Sequence, residues 1–152
     1  MRIAIGSDHA GFNLKQEVLN FLQELGHQVY DAGTYSTESA DYPDFAGSVG
    51  QMVAKGEADF GILICGTGVG MSIAANKVKG IRAAACYDPF TARMAREHND
   101  ANVLCLGAWV IGKGIALEIV RTFLNTEFSG AERHRRRISK IMALEEKQCS
   151  SG

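Results

Sequence analysis

Residues 59–70 read DFGILICGTGVG. From Phe60 to Cys65 every residue is apolar or glycine, the pattern of a strand covered on both faces, as in the middle of a parallel sheet. Gly66, Gly68 and Gly70 follow within five positions and open MSIAANK (71–77), which reads as a helix. A buried strand that passes through a glycine-rich turn into a helix is one half of a strand–helix–strand unit. The same alternation continues on both sides of it.

Upstream, RIAIGS (2–7) is a strand, and NLKQEVLNFLQEL (13–25) repeats Leu14, Val18, Leu22 and Leu25 on one helical face before Gly26 ends it. HQVYDAG (27–33) is a second strand. After a polar loop, Pro43 suits the first turn of a helix running to about Lys55. Downstream, RAAACY (82–87) and VLCLGA (103–108) are strands separated by the helical PFTARMAREH (89–98); IALEIVRTFL (115–124) is a further helix, and RHRRRISKIMALEEK (133–147) is a C-terminal helix with a basic start. Alternating strands and helices imply parallel strands joined by right-handed crossovers. The expected fold is therefore α/β, a three-layer αβα sandwich with a mostly parallel, about five-stranded sheet of the Rossmann or flavodoxin-like kind. One domain spans 1–146, and 147–152 reads as a disordered tail.

Composition narrows the function. A chain of 152 residues buries roughly 68–70% of its unfolded surface without help from disulfides or metals. A formal net charge of -1 steers it to neither nucleic acid nor membrane, so a small soluble ligand is expected. No apolar run reaches the ~18 residues of a bilayer span, and MRIAIGSDHAG has no signal-peptide core, so a cytoplasmic location is expected. Cys65, Cys86 and Cys105 fall within or at the end of predicted central strands and Cys149 in the tail, with no CxxC; His9, His27, His98 and His134 are scattered. A metal site is not expected from that distribution.

In such folds ligands bind beyond the carboxyl ends of the strands. Asp8 and His9 follow strand one there, and Cys65 to Gly70 follow strand three. His98-Asn99-Asp100 precedes its strand, which places it at the opposite edge of one chain; it reaches the carboxyl edge most simply from a neighbouring subunit. GTGVG has the glycines of an anion-binding loop, but it lacks the Lys of GxxxxGK[ST] and the spacing of GxGxxG. Asp88, about 20 residues on, keeps a nucleotide-binding reading open. Met71 stands where a cysteine-phosphatase loop needs Arg. Cys65 itself is open to three readings: a small hydrophobe filling a strand end, or a thiolate favoured by the helix N-terminal field, acting as nucleophile or as a base beside oxyanion donors. Arg133 and Arg137 stand four apart on one helical face, where two guanidinium forks can grip one phosphate. Their cluster has no interleaved aromatics, so nucleic acid is not expected. His98 is either a helix C-terminal histidine favoured by the dipole or a proton carrier. His9 and Asp8 are cap-region residues or ligands.

Taken together, GSDHAGFNLK (6–15), DYPDFA (41–46), GILICGTGVGMSIAANKVKGIRAA (61–84), REHNDANVLCLGA (96–108) and RHRRR (133–137) resemble the sugar-phosphate isomerase family that contains ribose-5-phosphate isomerase B and the allose- and galactose-6-phosphate isomerases. The resemblance runs from residue 2 to about 145. It implies an aldose–ketose isomerase of ribose 5-phosphate and ribulose 5-phosphate in the pentose phosphate pathway, working without metal or cofactor through a cis-enediolate. Matched by position, Cys65 is the base between C2 and C1, Thr67 serves the oxygens of that unit, and the backbone of Gly66, Gly68, Val69 and Gly70 holds the enediolate charge. His98 opens the furanose ring; Asp8, His9 and Asn99 contact sugar oxygens; Arg133 and Arg137 clamp the phosphate. The resemblance also implies a homodimer with shared active sites, with a tetramer as the larger alternative. Another phosphosugar such as allose 6-phosphate, and a non-catalytic nucleotide-binding module, are the competing functions. Two departures bear on substrate: Ala108-Trp109-Val110 stands where the family usually carries a phosphate-binding Arg, and the loop SGAERHRRR is one residue longer. Arg135 or Arg136 is then a candidate to supply the missing charge.

Overall fold

The computed structural model describes residues 1–150. Five strands, β1 (Arg2–Ser7), β2 (Gln28–Asp31), β3 (Phe60–Cys65), β4 (Ala83–Ala85) and β5 (Val103–Gly107), alternate with α1 (Phe12–Glu24), α2 (Tyr42–Ala54), α3 (Val69–Ala75), α4 (Pro89–Asn99) and α5 (Lys113–Asn125), and α6 (Glu132–Ser150) closes the chain. All four pairings are parallel, in the order β2-β1-β3-β5-β4. The α/β sandwich expected from the sequence is the fold observed. Among the described residues no helix is long and apolar enough to cross a membrane.

The period-2 alternation of each strand divides its side chains between two cores. Ile3, Ile5, Ile62, Ile64, Leu104 and Leu106 face Val18 and Leu22 of α1 and Ile119 and Phe123 of α5. Ala4, Leu63, Cys65, Val103 and Cys105 face Val49 and Val53 of α2 and Met71 of α3. Because α1 and α3 cover opposite faces, the chain leaves β1 and β3 in opposite directions, and their carboxyl ends border the crevice where such sheets bind ligands.

Two expectations need correction. Cys86 does not end a central strand: β5 inserts between β3 and β4, which leaves β4 at the edge with Cys86 just beyond it. That edge is short, and Asn76 blocks it, its side chain accepting the Ala83 N–H at 2.8 Å and donating to the Ala83 carbonyl at 3.0 Å. The C-terminal helix, in turn, continues to Ser150, past residue 146 where the sequence reading ends the domain. Residues 151 and 152 of the expected tail lie outside the described residues.

Candidate active site

The β3–α3 turn explains why three glycines follow Cys65. A Cβ at Gly66 would stand 2.5 Å from the Trp109 ring, and one at Gly70 would stand 2.7 Å from the Tyr42 ring. Gly68 has φ +81°, the left-handed region, and serves as the N-cap of α3. The turn is thus pressed between two aromatic side chains while its middle reverses. Its central N–H, that of Gly68, donates to Cys65 Sγ at 3.1 Å. Thr67 Oγ1 accepts the Val69 N–H at 3.2 Å, and its carbonyl accepts the Tyr87 phenol at 2.7 Å. The β5–α5 turn is tied alongside: Ala108 N–H donates to the Cys65 carbonyl and Trp109 N–H to that of Gly66, both at 2.9 Å.

These groups line a cleft of about 400 Å³ that brings together the predicted residues Asp8, Cys65, Gly66, Thr67, Val69 and Gly70 with Tyr42, Ile73 and Trp109. Cys65 is 4% exposed at its floor. Asp8 Oδ1 accepts the Gly11 N–H at 3.1 Å, holding the start of α1. His9 stands exposed outside the cleft lining, its Nδ1 accepting the Ala40 N–H at 3.1 Å, so it braces the loop that leads to Tyr42. The other two strand cysteines are chemically quiet. Burial pushes the Cys86 thiol up to about 11 and Cys105 well above its ordinary value, so both stay protonated near neutral pH.

His98, Asn99, Arg133 and Arg137 are not in this cleft. His98 and Asn99 close α4 before β5 begins. Cys65 pairs with Gly107 at the far end of β5, about 13 Å along the sheet at ~3.3 Å per residue. The turn is fixed by Asp100, whose Oδ1 accepts from Arg96 at 2.8 Å and whose carbonyl accepts from Arg82 at 2.8 Å; the Asn99 carbonyl also accepts from Arg82. His98 meets the first turn of α6 through His134, ring centroids 4.2 Å apart. Burial first, then His98, Arg133 and Arg137, lower the proton affinity of that ring, and both arginines are exposed. Arg135 and Arg136 are engaged elsewhere: Arg135 donates to the Gly130 carbonyl at 2.9 Å over the Phe128 ring, and Arg136 pairs with Glu132 at 2.6 Å.

The sequence reading passed over Tyr42, Tyr87 and His134. Tyr42, which opens α2 directly before Pro43, is the visible signal for the first; long-range packing alone ties Tyr87 to the Thr67 carbonyl and His134 to His98, outside the cleft. Among the described residues no three His, Cys, Asp or Glu side chains are grouped to hold a metal ion.

Comparison with known proteins finds relatives over nearly the whole chain. Residues 3–141 match the family model described as Ribose/Galactose Isomerase. The chain is 50% identical over 147 residues to ribose-5-phosphate isomerase B of Escherichia coli (strain K12), covering 97% of this chain and 98% of that one. It superimposes on the structure of Clostridium thermocellum ribose-5-phosphate isomerase B with a TM-score of 0.96 at 56% identity, covering 97% and 99% of the two chains. A Mycoplasma genitalium ribose-5-phosphate isomerase B, solved with bound ribulose 5-phosphate, gives a TM-score of 0.91 at 46% identity, with 95% and 96% covered.

Proposed function

Because the chain belongs to the ribose/galactose isomerase family, we infer that its reaction is the interconversion of ribose 5-phosphate and ribulose 5-phosphate, carried out at the Cys65 loop. The observation that carries this reading is the Cys65 thiol at the floor of the cleft, its sulfur accepting the Gly68 N–H.

The steps follow from the groups available. His98 takes the proton of the C1 hydroxyl and delivers it to the ring oxygen as the bond from C1 to that oxygen breaks, giving the open aldehyde and restoring the imidazole. Cys65, as thiolate, removes the C2 proton, and backbone N–H groups of Gly66 to Gly70 hold the charge that collects on the enediolate oxygens. Thr67 passes the hydroxyl proton from O2 to O1. The Cys65 thiol then returns a proton to C1, which completes the ketose and regenerates the thiolate. Asp8, His9 and Asn99 bind sugar oxygens, and Arg133 and Arg137 hold the phosphate.

The same reading requires two copies of the chain. The cleft lining contains one carboxylate and no cation, whereas Arg133 and Arg137 make no ion pair among the described residues. A dianionic phosphosugar is neutralised only if one chain's cleft faces the partner's arginines. Val69, Ile73, Phe90, Trp109 and Val110 are 49–76% exposed, an apolar surface suited to a second copy. A homodimer with shared sites, working in the cytoplasm on pentose phosphates, is the resulting picture.

The test is turnover of ribose 5-phosphate and of allose 6-phosphate in deuterated water. Conversion of the pentose phosphate, with deuterium entering C1 of ribulose 5-phosphate, is expected. Preference for the hexose phosphate would move the substrate, and binding of nucleotides without turnover of either sugar would overturn the enzyme reading.

A further inference from the structure

The reaction scheme leaves one buried histidine without a task. His134 is 5% exposed, between two arginines that are both exposed, on the first turn of α6. Its imidazole lies against that of His98 with centroids 4.2 Å apart and planes 31° from parallel. Its Nδ1 is 2.6 Å from Ser129 Oγ. That oxygen also accepts the Ala131 N–H at 3.1 Å, so Ser129 ties the His134 ring to the start of α6. The Ser129 N–H donates in turn to the Glu97 carbonyl at 3.0 Å, one residue before His98. The α5–α6 loop, α6 and the end of α4 are therefore joined in one circuit that passes through both imidazoles.

Burial holds the His134 imidazole below its ordinary range, His98, Arg133 and Arg137 push the same way, and Glu97 opposes them. Near neutral pH these influences favour the uncharged ring, held through its Nδ1 by Ser129. A neutral, hydrogen-bonded ring is a defined surface, where a charged one would repel both arginines and leave its seat.

We propose that His134 is a positioning residue for ring opening: its face, locked by Ser129, fixes the plane of the His98 imidazole so that proton transfer to and from the furanose occurs in one orientation. This rests on the reading of His98 as the ring-opening group. Misplacing a catalytic group by about 1 Å costs up to roughly 10²-fold in rate, so the effect belongs in turnover of the cyclic sugar. It is absent from enolisation, which starts from an open chain.

The experiment compares two rates in the same protein: turnover of cyclic ribose 5-phosphate, and deuterium wash-in at C1 of ribulose 5-phosphate. His134→Ala is expected to lower kcat on the cyclic sugar roughly 10- to 100-fold while leaving KM and wash-in unchanged. His134→Phe, which keeps a flat ring against His98, recovers most of that loss. Ser129→Ala, at an exposed position that leaves packing intact, shows a smaller loss of the same kind and serves if His134→Ala does not fold. Added to His98→Asn, none of these changes lowers cyclic turnover further, because residues that act as one unit are not additive. Equal losses in turnover and wash-in, a loss confined to KM, or full additivity with His98→Asn would each overturn the inference, marking His134 as structural or as a phosphate ligand. If His98→Asn itself turns over the cyclic sugar at full rate, the ring-opening assignment falls and the inference with it; a loss in His98→Asn with none in the His134 and Ser129 variants removes the inference alone.

Discussion

The two ends of the sheet are built from opposite materials. At the carboxyl end the cleft is made of backbone: a glycine turn, the Gly68 N–H on Cys65 Sγ, and aromatic rings laid where no Cβ fits. At the amino end the cluster is made of side chains, two exposed guanidinium groups and two stacked imidazoles on helix termini. The first can stabilise an anion that forms during reaction but carries no cation to bind a phosphate beforehand. The second can bind phosphate and move protons but holds no base for carbon. Under the proposed pairing of two copies, such a division makes chemistry and binding separable by mutation and leaves each end incomplete without its counterpart.

The largest effect is expected at the cleft. Cys65→Ala should lower isomerisation by at least about 10³-fold, within the range for loss of a positioned acid–base group, with KM and thermal stability little changed. Retained activity would mean that the two ends do not differ as described and that another group enolises the sugar. Alkylation at neutral pH should likewise spare Cys86 and Cys105, whose thiols burial keeps protonated.

The amino end should respond in binding. Arg133→Met or Arg137→Met removes a charged hydrogen bond of about 1.5–3 kcal/mol, a loss of roughly 10- to 150-fold in kcat/KM carried mainly by KM. A fall in kcat with unchanged KM would place these arginines in the chemistry and erase the distinction. A smaller change is expected at the rim of the cleft. Trp109→Arg adds to the cleft the cation it lacks, and KM for ribose 5-phosphate should fall about 2- to 5-fold, the worth of a partly exposed ion pair at ~0.5–1 kcal/mol. No change, or a rise, would show that the Trp109 ring over Gly66 matters more than the missing charge.

The smallest effect is on stability. His134 holds its proton less tightly folded than unfolded, so the unfolded chain takes up protons first as pH falls. Stability is complete above the unfolded value near ~6.5 and is lost as pH drops below it toward the folded value. His27, depressed by burial and by the N-terminal ammonium, acts in the same direction. Denaturant titrations between pH 7.5 and 5.5 should therefore show a stability loss that is smaller in His134→Phe; identical slopes would mean that His134 does not titrate as its surroundings require.

Much of this was legible in the chain itself because it depended on local pattern. The charge-free run from Phe60 to Cys65 marks a strand buried on both faces, and the glycines after it mark a turn without room for side chains. What the turn was pressed against was not legible: Trp109 and Tyr42 lie about 40 and 30 positions away in sequence, and only the packed sheet brings them over Gly66 and Gly70. The central place of β5 was hidden for a related reason, since chain order does not report which strand a crossover passes. The position of His98 at the opposite edge could be read from parallel topology alone. His134 could not be singled out, because one histidine inside RHRRR has the same pattern whether it faces water or another imidazole.

The most direct test of the divided site is to mix two inactive proteins. Cys65→Ala and His98→Asn are each prepared, combined, taken through subunit exchange and assayed on cyclic ribose 5-phosphate. If each site pairs Cys65 of one chain with His98 of the other, half the dimers formed at random are mixed and each has one site with both groups intact, so about a quarter of wild-type activity should return. No return of activity after verified exchange would contradict the account, placing both groups in a site formed by a single chain.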